Sequence, residues 1–248
     1  MSAAARNEDP VQHQASGYSG IVEHSGPLHS FLEHSTLLLF PIVFVLNLQW
    51  AGSRLYELEL FWSVAVAVPL GILGGDFISG LVHWAADTYG SEDMRVIGPS
   101  LVKPFRLHHV YPRDICTHGL VETTGNVCIL AVPVLSGCLY LMWLLPDSAL
   151  LAFSVVSFAL MAAATVATNQ FHKWAHQESP SAFARWLQRK RLVLEPQHHK
   201  RHHTQPFDTN YCITNGWLNP LLNKLKFFRR LEATLALFGI KTTNGPHS

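Results

Sequence analysis

Polar and apolar positions along this chain segregate into long blocks rather than alternating with a short period. Four apolar blocks stand out, at residues 35–50, 60–84, 127–145 and 149–171. A helix needs about 20 apolar residues to cross the hydrocarbon core of a bilayer. The second and fourth blocks reach that length and the third nearly does. The first is shorter and carries Asn47 and Gln49. Pro69, Pro133 and the many small residues are all tolerated inside membrane helices. The pattern predicts an all-α, polytopic membrane protein with four transmembrane helices at about residues 35–50, 60–82, 127–145 and 149–171. Residues 1–34 are polar, lack the apolar stretch of a signal peptide and read as a disordered tail. Residues 85–126 then form a long loop, and residues 172–240 a cap.

Composition sharpens this picture. The chain is 48% hydrophobic and 14% charged, against roughly 25% charged in ordinary soluble domains. Four such blocks exceed what a soluble core in 248 residues can hide. A net charge of +1 argues against a nucleic-acid partner. Cys116, Cys128, Cys138 and Cys212 form no CxxC pair and read as reduced core thiols. Four spans put the tail, the long loop and the cap on one side of the membrane. Arg54 is the one basic residue in the two short connections on the other side, whereas the remaining seventeen Lys and Arg lie opposite. Excess positive charge marks the cytoplasmic side, so both termini and the large loop are expected there.

Histidine was not used to draw that topology, yet it follows it. His83, His108, His109, His118, His172, His176, His198, His199, His202 and His203 all fall on the expected cytoplasmic side. His13, His24, His29 and His34 lie in the tail without motif spacing and read as solvated. The stretch EPQHHKRHHTQP (residues 195–206) is framed by prolines that suit the start and stop of a helix. At about 100° per residue, His199, His202 and His203 share one face, with His198 at its edge. His172 with His176, and His83 with Asp87, have the i, i+4 spacing of one helix face. His108 and His109 cannot share a helix face, but at a helix end they can serve different metals.

Neutral imidazole is the commonest metal ligand. The nine groups His83, Asp87, His108, His109, His172, His176, His199, His202 and His203 are too many for one zinc, which takes four ligands. They suit two ions with four or five ligands each. Zinc carries no redox chemistry, and the HExxH of zinc proteases is absent. Two irons at a membrane surface suggest oxygen activation and attack on a lipid C–H bond. A non-catalytic membrane metal-binding protein is the alternative of another class. A transporter, however, would carry polar ligands deep within its spans, and Asp76 is the lone acid there.

The stretches DFISGLVHWAADTYGS, FRLHH, THGLVETTGN, NQFHKWAH, HHKRHH and YCITNGWLNP together resemble the Kua family of membrane desaturases. The resemblance runs from about Asp76 to Arg230, so residues 35–248 read as one membrane desaturase domain. A plastidial branch that acts on phosphatidylglycerol acyl chains shares the nine ligand candidates but lacks equivalents of His118 and His198. This sequence has both, and its VETTGN and ITNGWLN fit the ether-lipid branch. It departs from animal members at Leu107, where they carry Glu before the paired histidines.

The resemblance implies a di-iron enzyme that uses O2 and electrons from cytochrome b5 or a similar carrier. Its substrate would be a membrane ether phospholipid, and its product a 1Z vinyl ether in the sn-1 O-alkyl chain. The host membrane would be the endoplasmic reticulum, or the inner membrane of a bacterium. An acyl-lipid desaturase or hydroxylase on the same platform is the alternative within enzymes. His118, His198 and Asn126 are candidates for supporting or additional ligands. Lys103, Arg106, Arg201, Arg229 and Arg230 are candidates for holding the lipid phosphate or an acidic electron donor.

Overall fold

A computed structural model of the chain describes residues 26–95, 98 and 102–243. The described residues form helices and turns, without strands. Four helices are long and apolar enough to cross a membrane. They are α1 (Pro27–Glu57), α2 (Val64–Thr88, preceded by a 3-10 turn at Phe61–Ser63), α4 (Leu120–Leu144) and α5 (Ala149–His176). Between α2 and α4 lies α3 (Lys103–Val110). After α5 come α6 (Ala182–Arg189), α7 (Pro196–Lys200), α8 (Asn219–Lys224) and α9 (Phe227–Leu237).

Local chemistry sets the helix starts. Pro27 opens α1, where its missing N–H costs nothing. Ser148 Oγ caps α5 by accepting the Leu151 N–H at 3.1 Å. Glu122 reaches back to accept the Gly119 N–H at 2.8 Å, closing the first turn of α4.

The four long helices all run past the apolar blocks that predict them. The first starts at Pro27 rather than residue 35, so the end of the expected disordered tail is helical; residues 1–25, with His13 and His24, lie outside the described residues. The reason is packing. Glu33 is buried against α4 at Gly125, where an added Cβ would sit 2.7 Å from Glu33 Cβ. His29 is half-buried and pairs with Glu33 at 3.4 Å, not simply solvated as expected; His34 is exposed. At this same end of the bundle, α2 and α5 continue between one and two turns past the spans predicted at residues 60–82 and 149–171. Those extensions carry His83, Asp87, His172 and His176.

Close packing of α2 on α5 depends on small residues. A Cβ at Gly71 would stand 2.6 Å from Leu160 Cβ, and one at Gly75 would stand 2.5 Å from Ala164 Cβ. Such stripes let membrane helices approach backbone to backbone. Buried Asn47 donates from α1 to the Leu135 carbonyl of α4 at 3.0 Å. Arg54 and Asp147, at 3.0 Å, tie the two short connections together. Outward faces stay apolar, as at Leu38, Ile42, Leu130, Trp143 and Leu150. That surface is unfavourable in water and matched to lipid.

Between Tyr211 and Leu218 the chain turns back along α2. Asp76, fully buried, accepts the N–H groups of Asn215 and Gly216 on Oδ1 at 3.0 and 2.9 Å, and that of Leu218 on Oδ2 at 3.0 Å. Ser79 Oγ accepts the Ile213 N–H at 3.0 Å, and the Thr214 and Thr168 hydroxyls meet at 2.6 Å. Without a strand or helix of its own, this segment has its buried backbone satisfied largely by side chains, from α2 and from Asn219, as a low-dielectric setting demands.

Candidate metal centre

Nine titratable side chains from four stretches of the chain come together in two adjoining groups. His108, His172, His176, His199 and His203 form one, and His83, Asp87, His109 and His202 the other. Within each group the candidate ligand atoms lie within 4.8 Å of one another. The nine are the residues that the sequence singles out. Their distribution differs from the simplest reading of the sequence at one point: α7 ends at Lys200 and the chain continues in turns. His199 and His203 therefore serve the first group, while His202 turns to the second.

In the five-imidazole group, His199 Nε2 lies 2.9 Å from the Nε2 atoms of His172 and His176, and 3.0 Å from that of His203. His172 and His176 are 3.1 Å apart, and His108 is 3.2 Å from His203. Each neutral imidazole has one N–H, so His199 cannot satisfy three ring nitrogens at once. Metal–imidazole bonds of about 2.0–2.1 Å at right angles put nitrogens about 2.9 Å apart. The spacing fits ligands around a shared ion.

The four-residue group carries stronger constraints. His83 Nδ1 lies 3.1 Å from the Tyr211 carbonyl, and His202 Nδ1 lies 2.8 Å from that of Thr209. A carbonyl only accepts, so each ring proton sits on Nδ1 and each Nε2 is a bare lone pair. Both lone pairs face Asp87 Oδ2, at 3.5 and 3.6 Å. His109 Nε2 is 3.1 Å from the same oxygen. Lone pairs converging on a carboxylate repel unless a cation lies among them. His83 Nε2 and Asp87 Oδ1 are buried without a hydrogen-bond partner among the described residues, which a metal ion would answer. The carbonyls fixing the tautomers are the outer contacts usual for metal-bound histidine.

Burial keeps the cap imidazoles neutral. It pushes His108 and His199 well below the usual histidine range, and neighbouring imidazoles add to the effect. His202 is pushed down to about 3 by burial first and His109 second. His203 falls to about 2, again by burial and then by His202.

Three further candidates stand outside both groups. His118 pairs with Asp114 at 3.4 Å. Its backbone carbonyl accepts the Lys173 ammonium, which joins the α3–α4 connection to α5 beside His172. His198 turns away to Asn219, whose Nδ2 lies 3.0 Å from its Nε2. Asn126 is half-buried on α4. Among the cationic candidates, Arg106 donates to the Gly90 carbonyl and Arg229 to Asp208, so both serve internal structure. The residue that sequence reading undervalued is Asp76. Its signal was present as a lone acid in an apolar span, a position that calls for a partner.

The lipid desaturase domain family matches residues 72–244. A plasmanylethanolamine desaturase of Myxococcus xanthus is 45% identical over 171 residues, covering 69% of this chain and 60% of that protein. Plasmanylethanolamine desaturase 1 of Mus musculus is 38% identical over 181 residues, covering 69% of this chain and 66% of that protein. The chloroplastic fatty acid desaturase 4 of Arabidopsis thaliana is 32% identical over 181 residues, covering 71% of this chain and 53% of that protein. The match thus spans less than two thirds of each of these relatives. No solved structure matches the chain.

Proposed function

The chain belongs to the lipid desaturase family, and from that premise we propose that it is a di-iron, dioxygen-dependent oxidoreductase. Its substrate is an ethanolamine ether phospholipid, and its product the corresponding 1Z vinyl ether (a plasmalogen). The observation that carries this reading is the pair of adjoining donor groups at the ends of two apolar helices. Imidazole-rich sets with a single carboxylate suit iron and other borderline metals. Two adjoining sites suit a reaction in which four electrons reach dioxygen.

The balance is simple. The alkyl chain gives up one hydrogen from each of C1 and C2, which supplies two electrons and two protons. A cytochrome b5-type carrier supplies two more electrons, solvent supplies two protons, and O2 leaves as two waters. Iron bound in the two groups supplies the oxidising power for C–H cleavage. The chain's own residues provide position. The Tyr211 and Thr209 carbonyls hold His83 and His202 with Nε2 directed at the site. Burial keeps the cap imidazoles unprotonated and ready to ligate. The Asp76 tether fixes the Tyr211–Leu218 segment against α2. Desaturation rather than hydroxylation requires that both reacting carbons be held in place.

The basic side of the chain, with both termini and the donor groups, faces the cytoplasm under this reading. The host membrane is the endoplasmic reticulum, or an inner membrane in a bacterial host. The test is expression in cells lacking plasmalogens, fed isotope-labelled 1-O-alkyl lipid. The reading requires label in an acid-labile vinyl ether, and its loss with His199→Ala while the variant still inserts in membranes. Label in an acyl double bond or a hydroxylated chain instead would contradict it.

A further inference from the structure

Beside the metal groups, and separate from them, lies a cleft of about 470 Å³. One wall is Arg191, Glu195, Gln197, His198 and Arg201, and the other is the turn containing Gly216 and Trp217. The cleft is built rather than incidental. Trp217 Nε1 donates to the Arg191 carbonyl at 2.6 Å and fastens the two walls together. Asp76 holds the N–H groups of Asn215, Gly216 and Leu218. That wall is thereby anchored to a residue inside the second span. Gly216 has φ +73°, and an added Cβ would stand 2.9 Å from His198 Cδ2. That close approach holds the imidazole in the wall.

The ring's proton can be assigned. Asn219 Oδ1 accepts the Cys212 N–H at 2.9 Å, and its Nδ2 donates to the Cys212 carbonyl at 2.8 Å. Its orientation is fixed, so Nδ2 also donates to His198 Nε2 and the His198 proton sits on Nδ1. That donor has no acceptor among the described residues. The Glu195 side chain likewise makes no capping bond to α7. The cleft therefore offers two guanidinium groups, a neutral N–H donor and one carboxylate, with an indole beside them. Next to it, α6 presents Phe183 and Trp186 outward, and Leu192 follows in the same exposed ring. Aromatic and leucine side chains exposed beside Arg and Lys mark a segment lying in the headgroup layer.

We propose that this cleft is the phosphoethanolamine subsite of the substrate: Arg191 and Arg201 hold the phosphate, His198 donates to it, and Glu195 accepts the primary ammonium. The proposal rests on the lipid-desaturase reading above and deepens it. Arginine pairs suit phosphate oxygens, and only an ammonium bearing N–H can donate to Glu195. Successive N-methylation removes those donors and adds bulk, so selectivity against choline headgroups resides at Glu195. His198 is the residue next to His199, so a headgroup held here brings the start of the sn-1 chain near the donor groups.

The test uses full-length protein in detergent, with size-exclusion profiles checking that each variant folds. Native mass spectrometry counts retained 1-O-alkyl lipids carrying ethanolamine, dimethylethanolamine or choline headgroups. Wild type should prefer ethanolamine over choline by roughly tenfold, the scale of a hydrogen bond to a charged group. Glu195→Gln should reduce that preference to within about twofold on the same scale. The double variant Arg191→Gln/Arg201→Gln should lose retention of all three lipids. The proposal is overturned if Glu195→Gln keeps the wild-type preference, or if the double variant holds as much lipid. It is also overturned if soluble glycerophosphoethanolamine binds while the lipids do not, since the cleft would then serve a free phosphodiester. Retention is read without turnover. A wild type that selects ethanolamine lipid yet forms no vinyl ether would refute the desaturase reading and leave the subsite standing.

Discussion

His108 and His109 are neighbours at the end of α3 and point into different donor groups. His108 Nε2 lies 3.2 Å from His203 Nε2, while His109 Nε2 lies 3.1 Å from Asp87 Oδ2. One peptide bond thus joins the two groups, and any shift of α3 moves a ligand of both.

Together with the di-iron proposal, this gives a prediction about stoichiometry. His108→Ala removes one of five donors and His109→Ala one of four. Each should lower iron content from about two toward about one per chain, because the other group keeps its full ligand set. Both variants should be inactive, since the proposed reaction needs the pair. Elemental analysis beside a turnover assay checks this. Loss of both irons in each variant would show that the groups do not fill independently.

Asp76→Asn tests the tether. An amide keeps one acceptor for Asn215 and Gly216 but sets an NH2 against the Leu218 N–H. A buried donor left unsatisfied costs about 1–3 kcal/mol, so thermal unfolding in detergent should fall by several degrees. Activity should fall further than stability, because Tyr211 at the start of this segment orients His83, and Thr209 just before it orients His202.

Gly80→Ala probes the same contact from the α2 side. Its Cβ would meet Cys212 Sγ at 2.5 Å and the Cys212 backbone nitrogen at 3.1 Å. The Tyr211–Leu218 segment must then move off α2, so turnover should drop while the helical circular dichroism persists. Gly137→Ala, with nothing within 4 Å of the new Cβ, is the control and should leave both unchanged.

Acid should destabilise the metal-free protein. Unfolded histidine titrates near about 6.5, whereas folded His202 and His203 lie at about 3 and about 2. Below pH about 6.5 the unfolded chain binds more protons than the folded one, so stability falls with falling pH until the folded values are reached. The stabilisation is complete above about 6.5. Unfolding temperatures of chelated protein at pH 7.5, 6.5 and 5.5 should decline below 6.5. A flat profile would mean that these imidazoles are not buried neutral.

Much of this was legible in the chain itself. Apolar block lengths gave four spanning helices, and their sidedness put ten histidines at one end of the bundle, of which eight join the two donor groups. Helical spacing paired His172 with His176 and His83 with Asp87, because both pairs ride on extensions of regular helices. Spacing failed at His202, since α7 ends at Lys200 and irregular turns carry no period to read. It also gave no view of the Tyr211–Leu218 segment, whose position depends on Asp76 and Ser79, more than 130 residues away in sequence. Long-range side-chain-to-backbone contacts leave no local pattern. The helical end of the tail was missed because Glu33 is stabilised by packing on Gly125, which hydropathy does not register.

The most direct test of the di-iron reading is anomalous scattering from crystals of the purified protein, recorded on both sides of the iron absorption edge. The reading predicts two iron peaks, one enclosed by His108, His172, His176, His199 and His203, the other by His83, Asp87, His109 and His202. A single peak, or scattering that appears only at the zinc edge, would contradict it.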